Sequence, residues 1–128
     1  GSQAIIAASK QAGVQRLLVV GGAGSLYVAP GLQLIDTPDF PAEYKAEASA
    51  GAQFLEALRQ EQQLDWSFLS PSALFVEGER RGTFRLGKEH LLVDGEGQSQ
   101  ISFADFAIAM MDEVEQPVHV RQRFTVGY

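Results

Sequence analysis

The feature that most constrains this chain is the run Arg16-Leu17-Leu18-Val19-Val20, which lies between Gly13 and Gly21. A short, nearly continuous apolar run bounded by glycine is what a strand buried on both faces of a parallel sheet requires, whereas a half-exposed strand alternates. Residues Gln3 to Ala12, rich in Ala and Ile, predict a short helix or the end of a longer one, and Gly13 stands where a C-terminal cap belongs. Helix, glycine and buried strand make the second half of a β-α-β crossover.

The same alternation continues. Gly21-Gly22-Ala23-Gly24-Ser25 leaves the strand directly, and Leu26 to Pro41, with Pro30, Gly31, Pro38 and Pro41, predicts a loop long enough to carry function. From Ala42 to Gln60 the period is helical: Tyr44, Ala48, Gly51, Ala52, Leu55 and Leu58 share a stripe that Glu43, Glu47 and Arg59 avoid. Trp66-Ser67-Phe68-Leu69 predicts a second strand, opened by Asp65 and closed by Ser70-Pro71, with Trp66 packed inside. Phe84, Leu86, Leu91, Leu92 and Val93 predict short, irregular β-structure. Ser102 opens a third helix, and with Asp105 it approximates a capping box. Phe103, Phe106, Ala107, Met110, Met111 and Val114 form its expected core stripe, and Pro117 stops it. Arg123-Phe124-Thr125-Val126 predicts a last strand. Strands alternating with helices imply an α/β fold with a mostly parallel sheet covered on both faces.

Composition narrows the chemistry. The 128 residues suffice for one domain with a real core. A net charge of −6 argues against direct nucleic-acid binding, since no excess of Lys and Arg is available to displace counterions. The absence of cysteine removes disulfides, zinc-thiolate sites and thiol nucleophiles, and is compatible with a reducing compartment. No apolar run approaches bilayer length, and the first residues lack the charged region of a signal peptide. The cytoplasm is therefore the expected location. His90 and His119 lie far apart without a recognisable partner, so neither a metal site nor a Ser-His-Asp arrangement is expected. Glu77, Glu79, Arg80, Arg81 and Arg85 read as a solvated mixed-charge surface.

Three segments together carry a family likeness. Gly13 to Ser25 resembles the fifth strand and following loop of NAD(P)-binding short-chain dehydrogenase relatives. Asp65 to Pro71 resembles their sixth strand, which ends in a proline beside the nicotinamide. Ile101 to Ala107 resembles their I-S-x-x-D-x-A helix start. The chain is most similar to the atypical, NmrA-like branch of that superfamily and to the NADH-flavin reductase group near it. The resemblance implies a Rossmann-like three-layer α/β/α fold. It also implies that residues 1–128 are the C-terminal part of a single domain, because the strand, G-x-x-G-x-x-G and helix that hold a pyrophosphate are absent. A fragment of a longer chain is the expectation, with the preceding half supplying most of the cofactor affinity.

The same resemblance implies a site. Ser25 falls at or near the superfamily's catalytic Ser/Thr. Gly21, Gly22 and Gly24 would pass close to cofactor or substrate. Lys45-Ala46-Glu47 resembles the start of the helix that carries Tyr-x-x-x-Lys, so Lys45 would hold ribose or phosphate, and the catalytic Tyr would fall at Pro41, which has no proton to give. Tyr44 is adjacent and would line the substrate pocket. Pro71, Ser72 and Ala73 would contact the nicotinamide, with Leu74 and Phe75 as pocket wall. These residues lead to an NAD(P)H-dependent reductase that passes hydride from NADH or NADPH to a flat acceptor such as a flavin or quinone. A non-catalytic, dinucleotide-sensing NmrA-like regulator is the alternative, and a sugar-nucleotide epimerase or dehydratase relative ranks below both. The expected partners are the dinucleotide and a small-molecule acceptor, and a homo-oligomer is left open.

Overall fold

The computed structural model describes residues 2–128. In chain order it contains α1 (Ser2–Gln11), β1 (Arg16–Val20), β2 (Tyr27–Ala29), β3 (Leu32–Gln33), α2 (Lys45–Arg59), β4 (Asp65–Ser70), β5 (Leu74–Val76), β6 (Arg85–Gly87), β7 (Gln100–Ser102), α3 (Phe103–Glu115) and β8 (Gln122–Gly127). The main sheet has the order β1-β4-β8-β6. β1 and β8 both run parallel to β4, and β6 closes the edge antiparallel to β8. This is a Rossmann-like α/β fold with a mostly parallel sheet.

α1 stops where the sequence predicts. Gly13, at φ +76°, provides the left-handed residue, while Val14 N donates to Ser9 O and Gly13 N to Lys10 O, which satisfies carbonyls the helix end would otherwise orphan. The strand period then sorts side chains between two layers. Leu17 and Val19 stand beside Trp66 and Phe68, and this face packs on Ile6 of α1 and Leu55 and Leu58 of α2. Leu69, Phe124 and Val126 face the other way, onto Phe106 and Ala109 of α3. Each fully buried side chain of this kind contributes about 1.5–3 kcal/mol.

Several expectations need correction. The predicted loop at Leu26–Pro41 contains the hairpin β2–β3, turned by Gly31 at φ +73°, and a 3-10 turn at Leu34–Asp36. The second helix enters through a 3-10 turn at Ala42–Tyr44, which rotates Tyr44 off the stripe and leaves it 55% exposed. In the irregular region, β6 joins the main sheet, while β5 pairs in parallel with β7. The third helix is phased differently from the expected stripe. Its buried residues are Asp105, Phe106, Ala109 and Glu113, while Phe103, Met111 and Val114 are about half exposed. Its capping box is half made: Ser102 Oγ accepts from Asp105 N at 3.1 Å, but the Asp105 carboxylate turns to Arg81 N, Gly82 N and the Tyr128 hydroxyl.

Gly21 illustrates how the end of β1 is fixed. Its N–H extends the ladder to Leu69 O at 2.8 Å, and a Cβ there would collide with the buried Phe68 ring. Gly22 beside it meets nothing within 4 Å. Gly21→Ala is therefore expected to destabilise the full-length protein by about 1–3 kcal/mol through overpacking. Gly22→Ala is expected to stay within about 0.5 kcal/mol. Denaturant unfolding of the two variants checks this, and equal midpoints would refute the packing argument.

Candidate functional site

On the α1/α2 side of the sheet, α2 covers β4, but among the described residues no helix covers β8. Hairpin β2–β3 and the segment at Glu89–Leu91 take that place. Tyr27 N donates to Glu89 O at 2.8 Å and Leu91 N to Tyr27 O at 2.9 Å, so the two segments brace each other. Between them and α2 lies an open cleft of about 690 Å³, lined by Ser25, Tyr27, Gln33, Arg59, Glu89 and Arg123 among others.

Chain geometry delivers Ser25 to this cleft. Past β1, Gly24 lies against Ala48 of α2, where a Cβ would sit 2.9 Å from the alanine methyl, so the loop runs tight along the helix. Ile35 N donates to Gly24 O at 2.9 Å, and Gln33 Nε2 to Ser25 O at 3.1 Å. Ser25 is held by its main chain and is itself buried at the cleft wall.

Its side chain meets Arg123 of β8. Arg123 pairs in register with Phe68, so it points to the α2 face, and it is only 1% exposed. One terminal nitrogen donates to Ser25 Oγ at 2.8 Å and, more weakly, to Ser70 Oγ at 3.4 Å. The other donates to Ser25 O at 3.0 Å and to Glu89 Oε1 at 2.8 Å, and Nε also reaches Glu89 Oε1 at 3.3 Å. Burial pushes the Arg123 guanidinium below the ordinary arginine value, and the Glu89 carboxylate opposes that shift. Glu89 also accepts from Arg59 at 2.8 Å, so one carboxylate bridges two guanidiniums from the buried wall to the cleft rim. A buried charge of this kind is expensive unless paired and hydrogen-bonded, and here every donor of the fork has an acceptor.

Of the residues expected from sequence, Ser25 lines this cleft, and Gly21, Gly22 and Gly24 lead into it. The structure does not bring the others to it. Lys45 is the exposed first residue of α2, a position where the helix dipole disfavours a cation, and Tyr44 beside it is exposed as well. Pro71 and Ser72 are buried at the exit of β4, where Ser72 donates its hydroxyl to Val126 O at 2.8 Å. Ala73 N donates to Ser99 Oγ at 3.0 Å, and Leu74 is exposed on β5. Phe75 packs on Phe103 and Phe106, each at 4.6 Å between ring centroids, so it belongs to the α3 core and is not a wall of this cleft. Tyr27, Arg59, Glu89 and Arg123 were not anticipated. One signal was available: Arg123 is a charge at the head of the Phe124-Thr125-Val126 run expected to be a strand, and a buried polar residue is more informative than a buried leucine.

The reading of the histidines also needs correction. His119 has a partner: its Nδ1 lies 2.8 Å from Glu113 Oε1, and its ring stacks on Phe124 with centroids 4.2 Å apart.

Comparison with known proteins follows the same lines. A family model described as NAD(P)H-binding matches residues 1–117. The chain belongs to this NAD(P)H-binding family. It is 48% identical over 127 residues to the uncharacterized protein YwnB of Bacillus subtilis (strain 168), covering 97% of this chain and 60% of YwnB. A Bacteroides thetaiotaomicron structure, provisionally named an epimerase, is 48% identical with a TM-score of 0.93 over 97% of this chain and 58% of its own. A Streptococcus pneumoniae TIGR4 structure, provisionally named an NADH-flavin reductase, is 44% identical with a TM-score of 0.82 over 88% and 55%. The chain thus spans about 55–60% of the length of these relatives. Among the described residues, no helix is long and apolar enough to cross a membrane.

Proposed function

We propose that the full-length protein is an NAD(P)H-dependent oxidoreductase that reduces a flat acceptor, a flavin or a quinone. The observation carrying this reading is the end of β1. In a parallel sheet, ligands gather at the C-terminal strand ends, and here Gly22 borders open space while Ser25 presents a fixed hydroxyl in the adjoining cleft. These residues fit the nicotinamide side of a dinucleotide site. Gly22 leaves the backbone free of any side chain that would block a ring, and Gly21 and Gly24 hold the loop against Phe68 and Ala48. The provisional name of the Streptococcus relative points the same way.

When bound, the dinucleotide supplies the hydride. This chain's residues do the rest: the Gly21–Gly24 turn bounds the nicotinamide, Ser25 hydrogen-bonds an oxygen of the acceptor, and Lys45 stays free to meet ribose or phosphate. Pro41, where the resemblance puts the acid, has no proton to give. A flavin or quinone takes its proton from solvent through the open cleft, which a ketone does less readily. The name of the Bacteroides relative favours epimerase chemistry instead, but the missing acid weighs against it.

Mixing the full-length protein with NADPH or NADH and a panel of flavins and quinones is expected to consume the reduced nicotinamide absorbance. Dinucleotide binding with no turnover across the panel would overturn the reductase reading and select a sensing protein, the alternative that Pro41 also favours.

A further inference from the structure

We infer that Arg123 is the positioning residue for Ser25, directing its hydroxyl to act as a hydrogen-bond donor toward the cleft. The inference rests on the reductase reading for its catalytic meaning, but its geometry stands alone. A serine hydroxyl has one proton to donate and two lone pairs that accept, and a rotating hydroxyl loses directionality. Arg123 has only donors. By placing an N–H 2.8 Å from Ser25 Oγ it fills one of the oxygen's two lone pairs and turns the proton away from the guanidinium, and a second N–H on Ser25 O holds the residue's main chain. Among the described residues, Ser25's own proton has no acceptor. The hydroxyl lies in the cleft wall, so that proton is left to face the cleft.

The guanidinium does a second thing. A fixed positive charge beside Oγ makes O–H a stronger donor, and within a buried wall this effect is screened far less than in water. Pre-aimed donors of this kind stabilise charge developing on a substrate oxygen. Glu89 tempers the field and fixes the fork. Because Glu89 is shared with Arg59 at the rim, it only partly neutralises Arg123. The charged and titratable groups around Ser25 in the cleft are therefore Arg123, Glu89, Arg59, Glu56 and Tyr27.

The chain has no cysteine, so a thiol at position 25 is a direct probe of the field. Ser25→Cys in the full-length protein is titrated by thiolate ultraviolet absorbance, as a difference against the unsubstituted protein. A neighbouring arginine lowers a thiol pKa. The expected result is a pKa at least about one unit lower with Arg123 present than in Ser25→Cys combined with Arg123→Met. Adding Glu89→Gln, a change at a partly exposed side chain, is expected to lower the pKa further. If the Arg123→Met protein does not fold, the Glu89→Gln titration decides alone. A thiol pKa unmoved in these backgrounds overturns the inference.

Turnover gives the second readout. Ser25→Ala is expected to lower kcat/KM for NADPH with the active flavin by about ten- to a hundredfold, toward the lower end of the loss of an oxyanion donor. Arg123→Lys is expected to cost less, and the double variant no more than Ser25→Ala alone, because Arg123 acts through Ser25. Additive losses would overturn the inference. Absence of turnover in the unsubstituted protein overturns the reductase reading and leaves the thiol titration to decide on Arg123.

Discussion

Replacing Glu113 by alanine is expected to destabilise the full-length protein by about 3–5 kcal/mol, among the largest effects available to a single substitution here. Glu113 lies in the last turns of α3 and is only 2% exposed. A carboxylate near a helix C-terminus is opposed by the helix dipole, so it must be held by partners. It accepts from Arg16 Nη2 at 2.9 Å and from Val118 N and His119 N at 3.0 Å each, and it contacts His119 Nδ1 at 2.8 Å. These bonds join the first strand, the third helix and the approach to the last strand. The network continues through Ser67, which accepts from Arg16 at 2.9 Å and donates to His119 O at 2.6 Å. Removing the carboxylate leaves a half-buried guanidinium without its counterion and two backbone N–H groups without acceptors. At a few °C per kcal/mol, the melting temperature should fall by on the order of 10 °C. Glu113→Gln keeps the shape and one acceptor oxygen, and is expected to cost roughly half as much. A loss below about 1 kcal/mol for the alanine variant would show that the clamp is dispensable.

The pH dependence follows from the same site. Burial alone raises the Glu113 pKa, but the bonds from His119 and Val118 outweigh it and hold the carboxyl below its ordinary value. The folded state thus binds its proton more weakly than the unfolded chain. Its stabilisation is complete above the unfolded value of about 4.3 and disappears as pH falls through the lower folded value. Unfolding titrations of the parent protein should lose stability across that acid window, and Glu113→Gln should lose less.

The second large effect is expected at Asp105, at the other end of α3. Asp105→Ala should cost about 2–4 kcal/mol, since at a fully buried position it strips the acceptor from two backbone N–H groups and leaves the Tyr128 hydroxyl only Ser102 Oγ. Arg81 N and Gly82 N donate to the carboxylate at 3.1 and 3.0 Å, and Tyr128 donates its hydroxyl. The Arg81 guanidinium lies 3.9 Å above the Tyr128 ring. One side chain thus ties the segment between β5 and β6 to the helix start and to the residue following β8. Hydrogen exchange should accelerate at Arg81 and Gly82 in Asp105→Ala, while the Schellman-type end of α1 stays protected. Tyr128→Phe, which removes one of the three donors, should cost only about 1 kcal/mol. Unchanged exchange at Arg81 and Gly82 would refute this account. Burial raises the Asp105 pKa, and its hydrogen bonds more than compensate, so this carboxylate adds to the acid lability by the same sign as Glu113.

Both residues explain where sequence reasoning succeeded and where it did not. β4 and β8 were legible because a buried parallel strand is locally apolar, and the α1 terminus because glycine conformation is local; β1 is a strand as expected, but it stands at the edge of the described sheet, part-buried and with Val20 57% exposed, so its expected burial on both faces is corrected. The phase of α3 was not. Counting apolar residues placed Phe103, Met111 and Val114 inward, whereas the helix turns Asp105 and Glu113 to the core. That is affordable only because Tyr128, Arg81, Arg16 and His119 arrive to satisfy them. No window of sequence around α3 contains all of those partners.

The candidate site divides in the same way. The sequence by itself determined an α/β chain of the NAD(P)H-binding kind, with a glycine-rich strand exit carrying Ser25. Only the tertiary structure decided what Ser25 faces. Parallel pairing of β4 with β8 brings Arg123 to Ser25 across 98 positions, and the bracing of Tyr27 against Glu89 supplies its counterion. Strands and caps are set by near neighbours, but the direction of a hydroxyl is set by a charge that only the closed sheet can place beside it.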